Sequence, residues 1–360
     1  MEYKEESTIK SSIASSVESF TESFTESSTE SSMKTDMGSA MGSAIESALI
    51  RTEDLKKYYK TSKGLLHAVD NVNISMNKGK TLGVVGESGC GKSTLGRVIL
   101  RLTEATSGKV FYKDDNILLY SPRQMKKMRK AMQIIFQDPY SSLNPRMSVR
   151  EIIEEPIKAN RILTKRSDVN RRVKELMETV GLAERLINVY PHELDGGRRQ
   201  RIGIARALSV NPEFIVCDEP VSALDVSIQA QILNLMMDLQ ESMGLTYLFI
   251  THNLSVVKHI SNEIAVMYLG QCVEVCESDR LFENPMHPYT QALLRAIPNP
   301  DLSSRGQKKI LIKGEVTDPI DPEPGCRFAP RCEYAQPICS QTDFKLKAVE
   351  ASHYVSCMLK

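Results

Sequence analysis

Short apolar runs recur along this chain at the length of buried β-strands. The most apolar of them are Thr81–Val85, Ile134–Phe136, Phe214–Cys217 and Thr246–Ile250. Between these runs, apolar residues spaced three and four apart predict amphipathic helices. Buried strands that alternate with such helices are typical of an α/β fold with a parallel sheet.

Two regions interrupt this alternation. Ahead of the first buried run, Leu55–Lys60 and Leu66–Met76 predict short strands with no helix between them, which indicates an antiparallel β subdomain. Later in the chain, Val149–Ala159 and Ser167–Val180 predict two successive helices with charged surfaces. We therefore expect an inserted helical subdomain at about residues 140–193.

The first 50 residues differ in composition from the rest. They are repetitive and rich in Ser, Thr and Glu, with nine acidic and three basic residues. Such a composition cannot bury a core, so a disordered tail is predicted for residues 1–50. The alternative is a weak amphipathic helix that forms on a partner, since apolar residues at 9, 13, 17, 20 and 24 fall at helical spacing.

Charge and composition exclude several classes of protein. The net charge of +1 over 360 residues gives no argument for nucleic-acid binding. No apolar run approaches the roughly 18–20 residues that span a bilayer, and the acidic N-terminus predicts no secretory signal. Eight cysteines in a chain with no predicted secretory signal point to a reducing compartment rather than to a disulfide framework.

A glycine-rich segment follows the run Thr81–Val85. It consists of Gly86, Glu87, Ser88, Gly89, Cys90, Gly91, Lys92, Ser93 and Thr94. This segment fits the phosphate-loop pattern, in which two glycines bracket four residues ahead of Lys and Ser. Its backbone N–H groups and the dipole of the following helix favour bound phosphate. Lys92 is expected to reach the β- and γ-phosphates of a nucleotide, and Ser93 to ligate Mg²⁺.

A second glycine-rich segment lies at the start of a later predicted helix. It consists of Leu194, Asp195, Gly196, Gly197 and Arg198. Because the N–H groups at a helix N-terminus attract negative charge, this segment is another potential anion site.

Polar residues follow the buried strand runs. Asp218 and Glu219 come directly after Phe214–Cys217, which suggests an Asp for a Mg²⁺ site and a Glu that polarises water. Gln137 and His252 end two of the other runs in the same way. Since parallel strands place their carboxyl ends at one sheet edge, Gln137 is expected beside bound Mg²⁺ and His252 at the γ-phosphate.

The order and spacing of these motifs resemble those of the nucleotide-binding subunit of an ABC transporter. Longer segments resemble the oligopeptide/dipeptide/nickel importer branch of that family. They are residues 137–145, Tyr190–Glu193, Asp225–Gln231 and Asn284–Thr290. The resemblance covers nearly all of the chain from about residue 51. It implies a P-loop ABC ATPase core with a RecA-like sheet, an antiparallel β subdomain, an inserted helical subdomain and a C-terminal extension.

The resemblance also implies roles and partners. Tyr59 best matches the aromatic residue that stacks on adenine. The ATPase subunits pair head to tail, so that the phosphate loop of one meets the glycine-rich signature of the other across ATP. The implied partners are a sister ABC ATPase, two membrane permease subunits and an extracytoplasmic solute-binding protein. The implied location is the cytoplasmic face of the cell membrane, as a peripheral subunit.

The signature segment departs from the family pattern at two positions. Family members normally have Leu-Ser-Gly-Gly-Gln, whereas this chain has Asp195 in place of Ser and Arg198 in place of Gln. A carboxylate near the γ-phosphate is repulsive unless it is offset, and Arg198 is a candidate for that offset. We therefore expect an unequal heterodimer with a sister ATPase.

Four cysteines fall near the end of the chain. They are Cys326, Cys332, Cys339 and Cys357. Their number matches a Cys₄ metal centre, although no Cys-x2-Cys pair is present. Three alternatives remain: an iron–sulfur cluster, a zinc ion and unliganded thiols. The segment 325–332 resembles the C-terminal region of peptide-importer ATPases, in which such cysteines hold an iron–sulfur cluster, and a 4Fe-4S cluster is the expected form.

Together these patterns predict an ATPase that energises import of oligopeptides or dipeptides. The expected domains are the tail at 1–50, the ABC ATPase domain at 51–285 and the extension at 286–360. The alternative substrate is a nickel or other metal complex. A non-transport ABC ATPase is disfavoured, because the chain has one phosphate loop and no sustained heptads.

Overall fold

A computed structural model describes residues 48–296 and 319–359. Most of the predicted tail, including the alternative amphipathic helix, lies outside these residues. Its last three residues, 48–50, are buried and form the start of the first strand, so the boundary predicted between residues 50 and 51 is wrong.

The first sheet contains five antiparallel strands. They are β1 (Ala48–Thr61), β2 (Gly64–Val72), β3 (Ser75–Asn77), β5 (Ser107–Tyr112) and β6 (Asp115–Asn116). The order is β2–β1–β5–β6, and β3 also pairs with β1. This sheet confirms the predicted antiparallel β subdomain. The single strand predicted over Leu66–Met76 is wrong, because β2 pairs with the end of β1 and β3 with its beginning.

The second sheet contains eight strands. They are β4 (Thr81–Val85), β7 (Met132–Ile135), β8 (Phe214–Asp218), β9 (Thr246–Ile250), β10 (Glu263–Tyr268), β11 (Gln271–Glu277), β12 (Lys347–Glu350) and β13 (His353–Val355). The order is β12–β13–β11–β10–β4–β9–β8–β7, and the pairs from β10 to β7 are parallel. Every residue of β4, β8 and β9 is buried, as expected for a parallel sheet covered on both faces.

Helices occupy the segments between these strands. They are α1 (Lys92–Ile99), α2 (Pro122–Ala131), α3 (Pro139–Ser142), α4 (Val149–Ala159), α5 (Arg166–Thr179), α6 (Gly196–Leu208), α7 (Val226–Met243), α8 (Leu254–Ile260), α9 (Ser278–Glu283) and α10 (Pro288–Arg295). None of the helices in the described part of the chain is long and apolar enough to cross a membrane.

The predicted helical insert corresponds to α3, α4 and α5, which lie between β7 and α6. A capping box at Ser148 and Glu151 begins α4, and Gly181 follows α5 with a φ of 67°. The buried faces of α4 and α5 share one hydrophobic cluster with α6. This packing fixes the insert against the helix that begins with the signature segment.

The C-terminal extension is joined to the core sheet. Its strand β13 pairs antiparallel with β11, and the side chains of His353 and Glu274 form a fully buried contact between them, 2.8 Å from Nε2 to Oε1. The Glu274 carboxylate also accepts the backbone N–H groups of Met286 and His287, just ahead of α10. The extension is therefore anchored in the core by a buried polar network.

Candidate active site

The phosphate loop connects β4 to α1, as the sequence predicts. Gly91 has a φ of 102°, and a Cβ atom there would lie 1.9 Å from the carbonyl oxygen of Ala68. Any side chain at this position would both strain the backbone and displace β2. The Lys92 Nζ donates to the carbonyl oxygens of Gly86 and Glu87, each at 2.9 Å. Two backbone carbonyls of the loop therefore hold the ammonium group.

Two of the predicted Mg²⁺ ligands meet at the end of β8. The Ser93 hydroxyl donates to a carboxylate oxygen of Asp218 at 2.6 Å, and Arg97 lies 3.8 Å from the other oxygen. Burial raises the pKa of Asp218, against the lowering effects of that hydrogen bond and of Arg97. Hard oxygen donors of this kind are the ligands that Mg²⁺ prefers, so these two residues fit the ion.

Glu219 is the centre of a second polar group at the same sheet edge. Its backbone has a φ of 48°, an unusual conformation for a glutamate and one that clusters at functional sites. One carboxylate oxygen accepts from Gln137 Nε2 at 2.9 Å and lies 3.3 Å from His252 Nδ1. The structure thus brings together the three residues that the sequence placed at the tips of neighbouring strands.

The two tyrosines near the end of β1 differ in their surroundings. Tyr58 stacks on His67 with ring centroids 3.9 Å apart, and its hydroxyl donates to Asp70. Tyr59 is 37% exposed and contacts only the Lys57 ammonium among the ring contacts of the described residues. Tyr59 is therefore the more accessible of the two tyrosines, and its stacking on adenine stays a prediction.

The signature segment begins α6. Asp195 is the N-cap, and its carboxylate accepts the backbone N–H of Arg198 at 2.8 Å. The Arg198 guanidinium lies 3.4 Å from the other carboxylate oxygen, and both side chains are exposed. Aspartate and serine are comparable N-caps, so the replacement keeps the helix start while adding a charge that Arg198 partly neutralises. Within the described part of the chain, the contacts of both side chains are local and do not reach the cluster around Glu219.

The four C-terminal cysteines converge. Cys326, Cys332, Cys339 and Cys357 all line one small cavity, together with Phe344 and other apolar side chains. The backbone N–H of Tyr334 donates to the Cys332 sulfur at 3.4 Å. Burial raises the pKa of Cys326 to about 11. By contrast, the other four cysteines are buried in the core.

Sequence reasoning missed two arginines beside these cysteines. Arg327 and Arg331 are almost fully buried and pair with Asp70 and Glu87, respectively. The signal was present in the spacing, because each arginine directly adjoins a cysteine in an otherwise apolar segment.

Comparison with known proteins assigns the chain to a family. Residues 69–222 match the ABC transporter family, and residues 273–339 match the oligopeptide/dipeptide transporter C-terminal region. The oligopeptide transport ATP-binding protein AppF of Bacillus subtilis is 49% identical over 320 residues, which cover 86% of this chain and 97% of AppF. The chain belongs to the ATP-binding subunits of the oligopeptide/dipeptide ABC transporter family.

Two further relatives agree with this assignment. The oligopeptide transport ATP-binding protein OppF of Salmonella typhimurium is 49% identical, with 86% of this chain and 96% of OppF covered. The dipeptide transport ATP-binding protein DppF of Escherichia coli is 48% identical, with 83% and 91% covered. The predicted family and the predicted ATPase activity are confirmed, and ABC ATPases of this kind associate peripherally with membrane permease subunits.

Solved structures confirm the fold. A dimeric structure of the ATP-binding cassette MJ0796, in a post-hydrolysis state bound to ADP and Pi, has a TM-score of 0.58 and 29% identity, covering 64% of this chain and 98% of that one. The cbiO1 structure from Clostridium perfringens, part of the ABC transporter complex cbiONQ, has a TM-score of 0.59 and 26% identity, covering 66% and 92%.

Proposed function

We propose that this chain hydrolyses ATP to energise the import of oligopeptides or dipeptides through separate membrane permease subunits. The proposal rests on the similarity to peptide-transport ATP-binding proteins. About half of the aligned residues are identical, and the alignments cover nearly the full length of these relatives. The cluster of Ser93, Asp218 and Glu219 beside a phosphate loop supplies the chemistry. The subunit would lie on the cytoplasmic face of the membrane.

In this proposal each side chain has one task at the γ-phosphate. Bound Mg²⁺, held by Ser93, Asp218 and Gln137, would neutralise phosphate charge. Glu219 would accept a hydrogen bond from the attacking water and orient it in line with the γ-phosphate. His252 would contact the γ-phosphate, and its 3.3 Å approach to Glu219 would link that contact to the water. Lys92 would leave its loop carbonyls for the phosphate oxygens.

The identity of the solute can be tested through the extracytoplasmic solute-binding protein, which acts as the receptor of the transporter. Solute contacts belong to other subunits, so the experiment measures ATP hydrolysis by the assembled transporter with its receptor loaded in turn with peptides and with a nickel complex. We expect stimulation by a dipeptide or a longer peptide. Stimulation by the nickel complex alone would replace the peptide assignment with the metal-complex alternative.

We further infer that the chain works in an unequal heterodimer. Its own phosphate loop and Glu219 would pair with the signature of a sister ATPase, while Asp195 and Arg198 would complete the sister's site. The Asp195 side chain is 57% exposed at the start of α6, where it would face a partner's nucleotide. A carboxylate there cannot donate to the γ-phosphate as a hydroxyl does, which would slow the sister's site.

The asymmetry predicts unequal effects of the same mutation in the two subunits. Glu219→Gln here should lower turnover of the assembled transporter much more than the corresponding Glu→Gln in the sister. The measurement is steady-state ATP hydrolysis of the two single-variant transporters. A second pair, with Asp195→Ser added to each, should bring the two losses closer together. Equal losses without that addition, or a larger loss from the sister's variant, would contradict the asymmetry.

We propose that the four C-terminal cysteines hold an iron–sulfur cluster. Convergence of four thiols on one apolar cavity, with an N–H donor on the Cys332 sulfur, supports this assignment. A single zinc ion about 2.3 Å from four tetrahedral sulfurs would bring them about 3.8 Å apart. Among the described residues no three of these sulfurs lie within 4.8 Å of one another, so they are not spaced as the ligands of one zinc ion.

The cluster proposal predicts a visible cofactor. Chain purified without oxygen should be brown and contain iron and acid-labile sulfide. A variant with Cys326, Cys332 and Cys339 all replaced by Ser should lose both, whereas Cys217→Ser in the buried core should keep them. Stoichiometric zinc without iron would establish the zinc alternative, and no metal would leave the thiols unliganded.

A further inference from the structure

The segment Cys326–Cys332 of the extension makes contacts on two of its sides. Its two cysteines line the small apolar cavity described above. Its two arginines pair with Asp70 and Glu87 of the ATPase domain. Phe328 also lines the cavity and packs against Tyr268 of the ATPase domain. The segment therefore lies between the cysteine cavity and the nucleotide-binding loops.

Arg331 reaches the phosphate loop directly. Its Nη1 donates to both carboxylate oxygens of Glu87, at 3.2 and 2.9 Å, and to the Tyr268 hydroxyl at 3.3 Å. The Arg331 side chain is 7% exposed and that of Glu87 is 23% exposed. This contact is a largely buried ion pair between residues 244 positions apart in the sequence.

Glu87 is also held through its backbone. The backbone N–H of Glu87 donates to the Tyr289 hydroxyl at 2.9 Å. Tyr289 packs against Tyr268 with centroids 4.6 Å apart, and Phe328 lies 5.3 Å from each of them. The packed rings of Tyr268, Tyr289 and Phe328 thus position both Arg331 and the backbone of Glu87.

The other arginine reaches the adenine side of the same site. Arg327 pairs with Asp70, and its Nη2 lies 3.3 Å from His67 Nδ1. Asp70 also accepts from the Tyr58 hydroxyl, in the residue next to Tyr59. One seven-residue segment of the extension therefore contacts the phosphate loop and also the Asp70–Tyr58 pair, which adjoins Tyr59 in the sequence.

We propose that Arg331 is a positioning residue for ATP, acting through Glu87 of the phosphate loop. A carboxylate in a loop that cradles polyphosphate would repel the ligand. Arg331 neutralises that carboxylate and holds it against the extension. In a partly buried site, opposite charges attract each other strongly enough to change the affinity of the loop for ATP. The inference rests on the proposed ATP site but not on any metal at the cysteines.

Loss of Arg331 should weaken ATP binding through the charge that it leaves behind. In the purified full-length chain, Arg331→Ala should raise the Kd of a fluorescent ATP analogue about tenfold, within the usual range for coupled charged pairs. In the assembled transporter, KM for ATP should rise similarly while kcat changes much less. Adding Glu87→Gln to Arg331→Ala should recover most of the lost affinity, because the unpaired carboxylate is then gone.

Two further variants separate positioning from general support. Arg331→Lys should fall between wild type and Arg331→Ala, since a lysine keeps the charge but not the planar guanidinium whose Nη1 contacts both Glu87 and Tyr268. Arg280→Ala breaks an ion pair with Glu350, which also joins the core to the extension but lies away from the phosphate loop. It should leave the Kd unchanged, with melting temperatures of all variants measured alongside.

Two results would overturn the proposal. One is an Arg331→Ala chain that binds the analogue as tightly as wild type. The other is a double variant as weak as Arg331→Ala, which would assign the loss to packing rather than to the Glu87 charge. A wild-type chain that fails to bind the analogue would instead contradict the ATP site itself, and this inference with it.

Discussion

Glu219→Gln is expected to lower ATP turnover of the assembled transporter by about 10²–10³-fold while ATP binding is retained. The amide has nearly the shape of the carboxylate, but it cannot orient and polarise the attacking water. The phosphate loop and the Ser93–Asp218 pair are untouched by the change. ATP should therefore accumulate in a closed pair of ATPase subunits, which is measured by nucleotide retention and by phosphate release.

The matched control for this prediction is Glu241→Gln. Glu241 is an exposed residue of α7, so the same chemical change there should leave turnover within about twofold of wild type. Near-normal turnover by Glu219→Gln would remove Glu219 from its proposed role. Loss of ATP binding along with turnover would indicate that the variant disturbs the loop rather than the water.

Asp218→Asn should abolish Mg²⁺-dependent hydrolysis and at the same time stabilise the metal-free chain. Burial raises the pKa of this carboxyl in the folded state, so ionising it at neutral pH opposes folding. That penalty is present above the raised pKa and disappears as the pH falls below it. An asparagine removes the charge but can still accept the Ser93 hydrogen bond.

The two effects can be measured separately. Without Mg²⁺ and nucleotide, the melting temperature of Asp218→Asn should exceed that of wild type at neutral pH, by about 2–4 °C per kcal/mol gained, and the difference should shrink in acid. With Mg²⁺ and ATP, wild type should gain thermal stability and the variant much less. A lower melting temperature of the metal-free variant at neutral pH would contradict this account of the Asp218 environment.

The sequence predicted the parts of the fold that local pattern determines. The runs Thr81–Val85 and Thr246–Ile250 match β4 and β9, because a strand buried on both faces leaves a continuous apolar run. The single strand predicted over Leu66–Met76 was wrong, because the division of this segment into β2 and β3 depends on which end of β1 each part pairs with. Such pairing is a property of the whole sheet and leaves no local pattern.

The same distinction applies to the candidate site. The phosphate loop and the residues at strand tips are fixed by motif and by the geometry of a parallel sheet, so Ser93, Asp218 and Glu219 could be placed together in advance. The contact of Arg331 with Glu87 could not, because it joins distant parts of the chain. It also depends on how the extension packs around Phe328, which no motif specifies.

The most direct test of the central claim is uptake of labelled peptide by vesicles. The vesicles would carry this chain, its sister ATPase, the two permeases and the receptor, with ATP available only on the side of the ATPases. The account predicts ATP-dependent accumulation of a dipeptide or a longer peptide, which Glu219→Gln reduces nearly to background. Accumulation that persists in that variant, or a transporter that hydrolyses ATP yet accumulates no peptide tested, would contradict it.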